Sequence, residues 1–163
     1  MKKAPSSTTD DALHALEAGR VTQGFRILKR LGEGGDESAF HMLGYCYDVG
    51  EGTRRNRKLA MYWYTRGYRA GRAASASNLA TVYRDMGRSK AEFTWYQRAA
   101  AMGDGDALLE VAIRYLSGKG VLRSRTRAIA LLEAVRKSKY VTPDSRDVAR
   151  QLLYGCSTRR RGV

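Results

Sequence analysis

The sequence predicts an all-α fold: a solenoid of about three antiparallel helix pairs, with a leading helix pair and a C-terminal capping helix. Three observations predict it. Blocks of residues recur at steps of 32 and 36 positions, apolar residues within each block return every four positions, and the only two prolines, Pro5 and Pro143, lie near the ends. A step of that length fits one helix–turn–helix unit, which cannot bury its apolar face without a stacked neighbour. A four-residue return puts side chains on one helix face. The long proline-free stretch, rich in the helix formers Ala, Leu and Arg, is free to be helical throughout.

The repeat is visible in two blocks. Leu43-Gly44-Tyr45-Cys46-Tyr47-Asp48-Val49-Gly50-Glu51-Gly52 returns 68 residues later as Val111-Ala112-Ile113-Arg114-Tyr115-Leu116-Ser117-Gly118-Lys119-Gly120. Leu79-Ala80-Thr81-Val82-Tyr83 stands between them, 36 residues after the first copy and 32 before the third. The second block steps in the opposite order, since Trp63-Tyr64 and Gly71 return after 32 residues as Trp95-Tyr96 and Gly103. One deletion explains both orders. The middle copy lacks four residues between its helices, where Met86-Gly87-Arg88 replaces the Gly-x-Gly turn.

The elements follow in order. A leading pair, within residues 10–35, runs from Asp10 to Ala18 and from Val21 to Leu31, split at Gly19. Ile27 and Gly35 fall 36 residues before Trp63 and Gly71, so its second helix keeps the repeat phase. In the first repeat, residues 39–74, Ala39, Leu43 and Tyr47 share a face and Gly50-Glu51-Gly52 ends the helix. Asn56 then caps a helix from Arg57 to Ala70, which Gly71 closes. In the middle repeat, residues 75–106, Ser89 caps a helix carrying Phe93, Tyr96, Ala99 and Ala100. In the third, residues 107–142, Ser124 caps a helix with the stripe Ala128, Leu131 and Val135. After the Val141-Thr142-Pro143 break, residues 144–154 form one more amphipathic helix, and such end elements cover an otherwise open stack. The expectation is a single domain over residues 10–156, with disordered tails at 1–9 and, basic in character, 157–163.

The motif Ala39-x-x-x-Leu43-Gly44-x-x-Tyr47-x-x-Gly50-x-Gly52, followed by Ala60-x-x-Trp63-Tyr64 and Gly71, resembles the Sel-one-like repeat, a branch of the tetratricopeptide-like helical solenoids. The resemblance covers Ala39 to Thr142. The middle copy departs by its missing turn, and the third by Leu131-Leu132 where Trp-Tyr is usual. Asn56 and Ser124 replace the usual aspartate and keep its capping role. The resemblance implies a right-handed, curved stack that acts as an adaptor or scaffold for protein partners, often in bacteria. Some secreted relatives carry a cysteine pair inside each repeat. This chain does not, which favours a cytoplasmic setting.

Composition narrows the function. Thirty basic residues against sixteen acidic give a net charge of +14, and +9 remains without Lys2, Lys3, Arg159, Arg160 and Arg161. Such a body attracts acidic proteins, nucleic acid or anionic surfaces. No apolar stretch follows the N-terminal lysines as a secretory signal requires, and no run is apolar enough to span a membrane. Cys46 and Cys156 match no metal spacing, and His14 and His41 have no second ligand nearby in sequence, so no metal or other cofactor is expected. His41 and Cys46 lie about 140° apart around a helix, which removes a thiol–imidazole pair. Gly32-Glu33-Gly34-Gly35 follows a helix and lacks the Gly-Lys-Ser/Thr of a phosphate loop. No catalytic constellation emerges, and the expectation is a protein that is not an enzyme. Trp63, Trp95, Tyr47, Tyr83 and Tyr115 recur at the repeat interval and read as packing residues.

Two surfaces compete for a partner. By the resemblance, the inner positions of each first helix form a concave row: His41, Tyr45 and Asp48; Ser77, Thr81 and Arg84; Leu109, Ile113 and Leu116. The apolar last set reads either as a peptide site or as a face buried by the C-terminal helix, the second being favoured. The other surface is a basic edge of turns: Arg54, Arg55, Arg57 and Lys58; Arg84, Arg88 and Lys90; Lys119, Arg123, Arg125 and Arg127. Equivalent turns of a solenoid stack on one side, so these charges are expected in one stripe, either solvated or neutralised by a partner. Arginine predominates there, and its planar fork suits carboxylate or phosphate. The reading is a scaffold for an acidic or amphipathic protein, a toxin held by an immunity-type protein among the possibilities. The alternative is RNA or DNA bound along the arginine-rich edge. No aromatic is interleaved with these arginines to stack bases. Oligomeric state is left open.

Overall fold

A computed structural model describes residues 8–158. Among the described residues it holds nine α-helices, one 3₁₀ turn at Glu37–Ala39 and no strand. The helices are α1 (Thr9–Glu17), α2 (Val21–Glu33), α3 (Phe40–Val49), α4 (Arg57–Arg69), α5 (Ala73–Asp85), α6 (Ser89–Ala101), α7 (Gly105–Ser117), α8 (Arg125–Lys137) and α9 (Pro143–Thr158). They fall into two compact units that meet in the chain at Ser75 and Ala76, within α5. Of the tails expected at residues 1–9 and 157–163, residues 1–7 and 159–163, Arg159–Arg161 included, lie outside the described residues, while Thr9, Ser157 and Thr158 belong to helices.

α1 keeps the expected length but begins one residue earlier, at Thr9, whereas α9 runs past the sequence reading at both ends. Thr8 forms a reciprocal capping box, its Oγ1 accepting from the Asp11 backbone N–H at 3.3 Å while Asp11 accepts from the Thr8 backbone N–H at 2.7 Å. Hydrogen bonds from the Thr8 backbone N–H and the Thr8 hydroxyl hold the Asp11 carboxyl below its ordinary range. At the other end Pro143 occupies the first turn of α9, where a missing N–H costs nothing. The Arg125 guanidinium donates to the Cys156 carbonyl, so the last turn of α9 continues past residue 154.

In the first unit, α1–α2 and α3–α4 are antiparallel pairs whose helices approach through glycine. A Cβ on Gly44 would lie 2.5 Å from the Tyr64 ring, so the glycine after Leu43 is what lets that ring lie against α3. The Trp63 ring sits over Gly32 of α2 and beside Phe40, with ring centroids 5.7 Å apart. Leu28, Leu43, Cys46, Ala60 and Tyr64 are essentially inaccessible. A buried aromatic of this kind covers about 150–250 Å² and dominates the packing energy.

The second unit repeats the plan through α6, α7 and α8 with smaller residues. Ala112 stands where Gly44 does and Leu132 where Tyr64 does, so the added methyl meets a narrower neighbour. α9 closes the unit, with Ala149, Leu152 and Leu153 packed on Leu109, Ala112, Leu132 and Val135. The crossover into α9 is pinned on α7. Gly105 donates its N–H to the Tyr140 carbonyl at 3.0 Å, and Asp106 accepts from the Thr142 N–H at 3.1 Å.

Asn56 and Ser124 cap α4 and α8 as expected, accepting from the Leu59 and Arg127 N–H groups at 3.1 and 3.3 Å. Asp104, not anticipated, caps α7 through Ala107 at 2.9 Å. Ser89 is a correction: it is the first residue of α6, and Arg88 precedes it with no side-chain cap. The deleted turn is the reason, because Gly87, at φ +69°, leads almost directly from α5 into α6. Trp95 is only half-buried, with the Arg98 guanidinium 4.4 Å above its ring.

One contact recurs in both units. A Cβ on Gly52 would fall 2.3 Å from the Val21 carbonyl oxygen, and one on Gly120 would fall 2.1 Å from the Ser89 carbonyl oxygen. Val21 and Ser89 are 68 residues apart, as are Gly52 and Gly120, so each Gly-x-Gly turn seats on the start of the helix ending the previous pair. Gly87, in the shortened turn, has open space around it. Gly87→Ala should therefore cost about 1–2 kcal/mol, the left-handed strain alone. Gly120→Ala should cost clearly more, since a backbone carbonyl must also move. Urea unfolding of the two variants measures the difference.

Candidate partner-binding surfaces

The side chains expected to form a concave row are largely engaged within the protein. His41 Nδ1 lies 3.0 Å from the buried Ser75 hydroxyl. Asp48 is half-buried, 3.9 Å from Arg55 and accepting from the Tyr64 hydroxyl at 3.5 Å. Ser77 donates to Asp104 at 2.6 Å. Thr81 hydrogen-bonds the Tyr96 hydroxyl, to which Arg84 also donates at 3.5 Å. Leu109 is corrected as a contact residue, because it is buried in the α7–α8–α9 cluster. Ile113 and Leu116 are partly buried against the same cluster. That is the burial alternative of the sequence reading, and α9 supplies the cover. Tyr45, 39% exposed, is the row's accessible aromatic.

The basic turns differ. In the first unit Arg54, Arg57 and Lys58 are exposed, whereas Arg55 faces Asp48. In the second unit the seat of Gly120 on Ser89 brings the α7–α8 turn against the start of α6. Arg88 and Lys90 of one turn thus stand beside Lys119 and Arg123 of the next. Arg88, Lys90 and Arg123 are exposed and have no acidic partner among the described residues. The rest of that corner is held. Lys119 Nζ is 4.0 Å from Glu92, Arg127 donates to the Tyr115 hydroxyl at 3.4 Å, and Arg84 lies 4.0 Å from Asp85.

Behind this corner is a buried ion pair that the sequence reading missed. Glu92 of α6 is inaccessible, and Arg114 of α7, 8% exposed, donates its Nε to Glu92 Oε1 at 3.1 Å. Arg114 also reaches Glu110 at 3.2 Å and lies 5.8 Å over the Tyr96 ring. Glu92 Oε2 accepts no hydrogen bond, and Lys119 Nζ lies 4.0 Å from it. The signal was in the register. The positions equivalent to Glu92 hold Gly24, Ala60 and Ala128, and those equivalent to Arg114 hold Cys46 and Val82. Opposite charges at two apolar repeat positions on adjacent helices mark a pair.

The groups weighed for chemistry are quiet. Cys46 is fully buried, and burial pushes its thiol up to about 12, so it carries no thiolate at neutral pH. Both cysteines are free. Among the described residues no cluster of His, Cys, Asp and Glu could hold a metal, and no helix is long and apolar enough to cross a membrane.

Arg114→Val alone should destabilise by about 3–5 kcal/mol, because it strands a buried carboxylate. Glu92→Ala with Arg114→Val, which restores the residues of the other repeats, should recover most of that loss in chemical denaturation. For His41, burial, then the nearby Arg72 charge, lowers its affinity for a proton below the ordinary 6.5. The folded protein keeps it neutral while the unfolded chain protonates, so stability present above pH 6.5 falls as pH drops below it. His41→Gln should flatten that slope in melting curves taken across the range.

The Sel1 repeat pattern matches residues 38–71, 93–104 and 105–134. No curated protein matches the chain in sequence. Among solved structures, a Sel1 repeat protein from Oxalobacter formigenes is similar at TM-score 0.71 and 20% identity, over 80% of this chain and 55% of that one. The protein c5321, a protective antigen of uropathogenic Escherichia coli strains displaying an SLR fold, is similar at TM-score 0.67 and 25% identity. That match covers 78% of this chain and 30% of that one. The chain thus spans little more than half of the first protein and less than a third of the second. Paired helices, Gly-x-Gly turns seated on the preceding pair, and these matches give the chain Sel1-type repeats in an α/α-solenoid fold.

Proposed function

We propose that the chain is a non-catalytic scaffold for a cytoplasmic protein partner that presents acidic side chains to the arginine-rich turns. One observation carries this reading. The first turns of α4 and α8 contain no acidic residue, and Arg57 and Lys58 in one, Arg125 and Arg127 in the other, sit at the positive end of a helix dipole. Each such cation costs about 0.3–1 kcal/mol where an anion would stabilise. Arg54, Arg88, Lys90 and Arg123 add exposed charge beside them without a carboxylate in reach. An acidic partner offsets the repulsion and the dipole penalty together. Arginine can hold its carboxylates through two parallel bonds. A target assembled by an adaptor, or a toxin neutralised by an immunity-type protein, meets that description. The same chemistry would accept phosphate, but no aromatic platform accompanies the cations to hold bases.

Reversing charge separates function from fold. Arg54→Glu, Arg57→Glu and Lys58→Glu together, or Arg88→Glu, Lys90→Glu and Arg123→Glu, should abolish capture of partner protein from lysate at moderate salt. Because anions suit a helix N-terminus, the first set should also melt no lower than the parent, and higher by roughly 0.3–1 kcal/mol for each favourable charge. Unchanged capture overturns the reading. A gel-shift complex with RNA or DNA that weakens steeply with salt and vanishes in these variants would replace it with nucleic-acid binding.

A further inference from the structure

The 68-residue register compares one place in the two units side by side. In the first unit the space between α2, α3 and α4 is filled by an aromatic block. Phe40 and Trp63 have centroids 5.7 Å apart, Tyr62 meets Trp63 edge-on at 5.0 Å, and Arg66 lies 4.0 Å over the Phe40 ring. The equivalent residues in the second unit are Leu108 for Phe40, Leu131 for Trp63 and Ala130 for Tyr62. Two isobutyl groups and a methyl replace a phenyl, an indole and a phenol. The backbone does not close over the difference, because Gly120 on Ser89 and α9 on α7 and α8 hold the helices in place. What remains is an open groove of about 450 Å³ among α6, α7 and α8, with Ala100 on one wall and Tyr115 and Arg127 at its end.

We infer that this groove receives one aromatic side chain of the partner, from a segment in which acidic residues flank that aromatic. Shape argues for the ring, since the corresponding space in the first unit is occupied by Trp63 and Phe40. Charge argues for the flanking acids. Arg127 is exposed, its guanidinium 5.6 Å from the Tyr115 ring centroid, and it donates to the uncharged Tyr115 hydroxyl. The unpaired Arg123 belongs to the turn that leads into the same helix. An apolar slot with a guanidinium at its mouth suits a buried ring next to a carboxylate. This inference rests on the scaffold reading above and adds to it which side chain anchors the partner.

The decisive variant is Leu131→Trp, which refills the groove with the residue the first repeat carries and should leave melting unchanged or raised. The probe is a fluorescein-labelled peptide, acetyl-Asp-Glu-Trp-Asp-Glu-amide, with a control in which alanine replaces tryptophan. The parent protein should bind the tryptophan peptide at least about tenfold more tightly than the control, as an anchoring aromatic requires. Leu131→Trp should bind both equally and weakly. Arg127→Glu should weaken the tryptophan peptide. Equal binding of the two peptides by the parent overturns the groove while leaving acidic recognition by the turns intact. No binding of either at low salt overturns both readings. A parent dimer that Leu131→Trp converts to monomer in sedimentation assigns the groove to a second copy of this chain and overturns a foreign aromatic.

Discussion

The arrangement depends on one close approach of backbone to backbone. At Gly52 on Val21, and again at Gly120 on Ser89, a turn rests against the carbonyl that opens the preceding helix, at a separation no side chain could share. That contact fixes how far each pair advances on the last and which residues face each other across the step. It also explains why charge gathers where it does. A turn seated on a helix start puts the side chains of both into one corner, so Lys90, Lys119 and Arg123 become neighbours although about thirty residues separate the first from the others. The middle turn, shortened to Met86-Gly87-Arg88, has no glycine at that seat. Its helix then begins at Ser89 with no side-chain cap, and the carbonyl of Ser89 becomes the surface the next turn rests on.

The second consequence is tolerance to exchange inside the repeat. Fixed backbone spacing means a large residue in one copy must be answered by a small one opposite. Gly44 against Tyr64 and Ala112 against Leu132 are two solutions to one geometry. Glu92 and Arg114 are a third kind of solution, in which charge complementarity replaces size complementarity. Buried pairs of this sort rarely add net stability over an apolar equivalent, because both ions lose their water. What the pair adds here is connection. Through Lys119 it reaches the turn, through Glu110 it stays on α7, and through Tyr96 it meets Thr81 and Arg84 of α5. A corner of the second unit is thereby tied to its interior by directional bonds, where the first unit relies on packed rings.

How far the sequence could be read follows from what kind of signal each feature left. Helix pairs, the deleted turn and the caps at Asn56 and Ser124 were legible because repetition and capping chemistry are local in sequence. Ser89 misled because a serine before a helical stretch is an ordinary cap, and only the geometry of Gly87 shows that the helix has already begun. The two ends of α9 were underestimated for a similar reason, since Pro143 and Ser157 look like loop residues without the contacts that hold this helix. The residues expected in the concave row lie on α3, α5 and α7, yet whether a side chain is available depends on neighbours 27 to 34 residues away, as with Ser77 on Asp104 and His41 on Ser75. Glu92 and Arg114 were legible in principle. Aligning copies for what they share hides the positions where one copy alone carries charge, and those positions held the pair.

Divergence between copies is therefore where function is written in a repeat protein. Residues that keep the period, such as Gly50, Gly52, Gly118 and Gly120, are occupied with geometry and have little freedom for anything else. Residues that break it have been released from that duty by a neighbour. Trp63 must fill the space over Gly32, but Leu131 need not fill the space beside Ala100, because α9 gives its helix a second face to pack on. A capping helix thus does more than cover an apolar end. By stabilising the last pair from one side, it lets the other side lose its aromatic plug and stay folded while open. The groove beside α8 and the charges at its N-terminal turn then share one origin. Both are local departures from what the fold alone would prefer, and they lie within two turns of each other on the same helix.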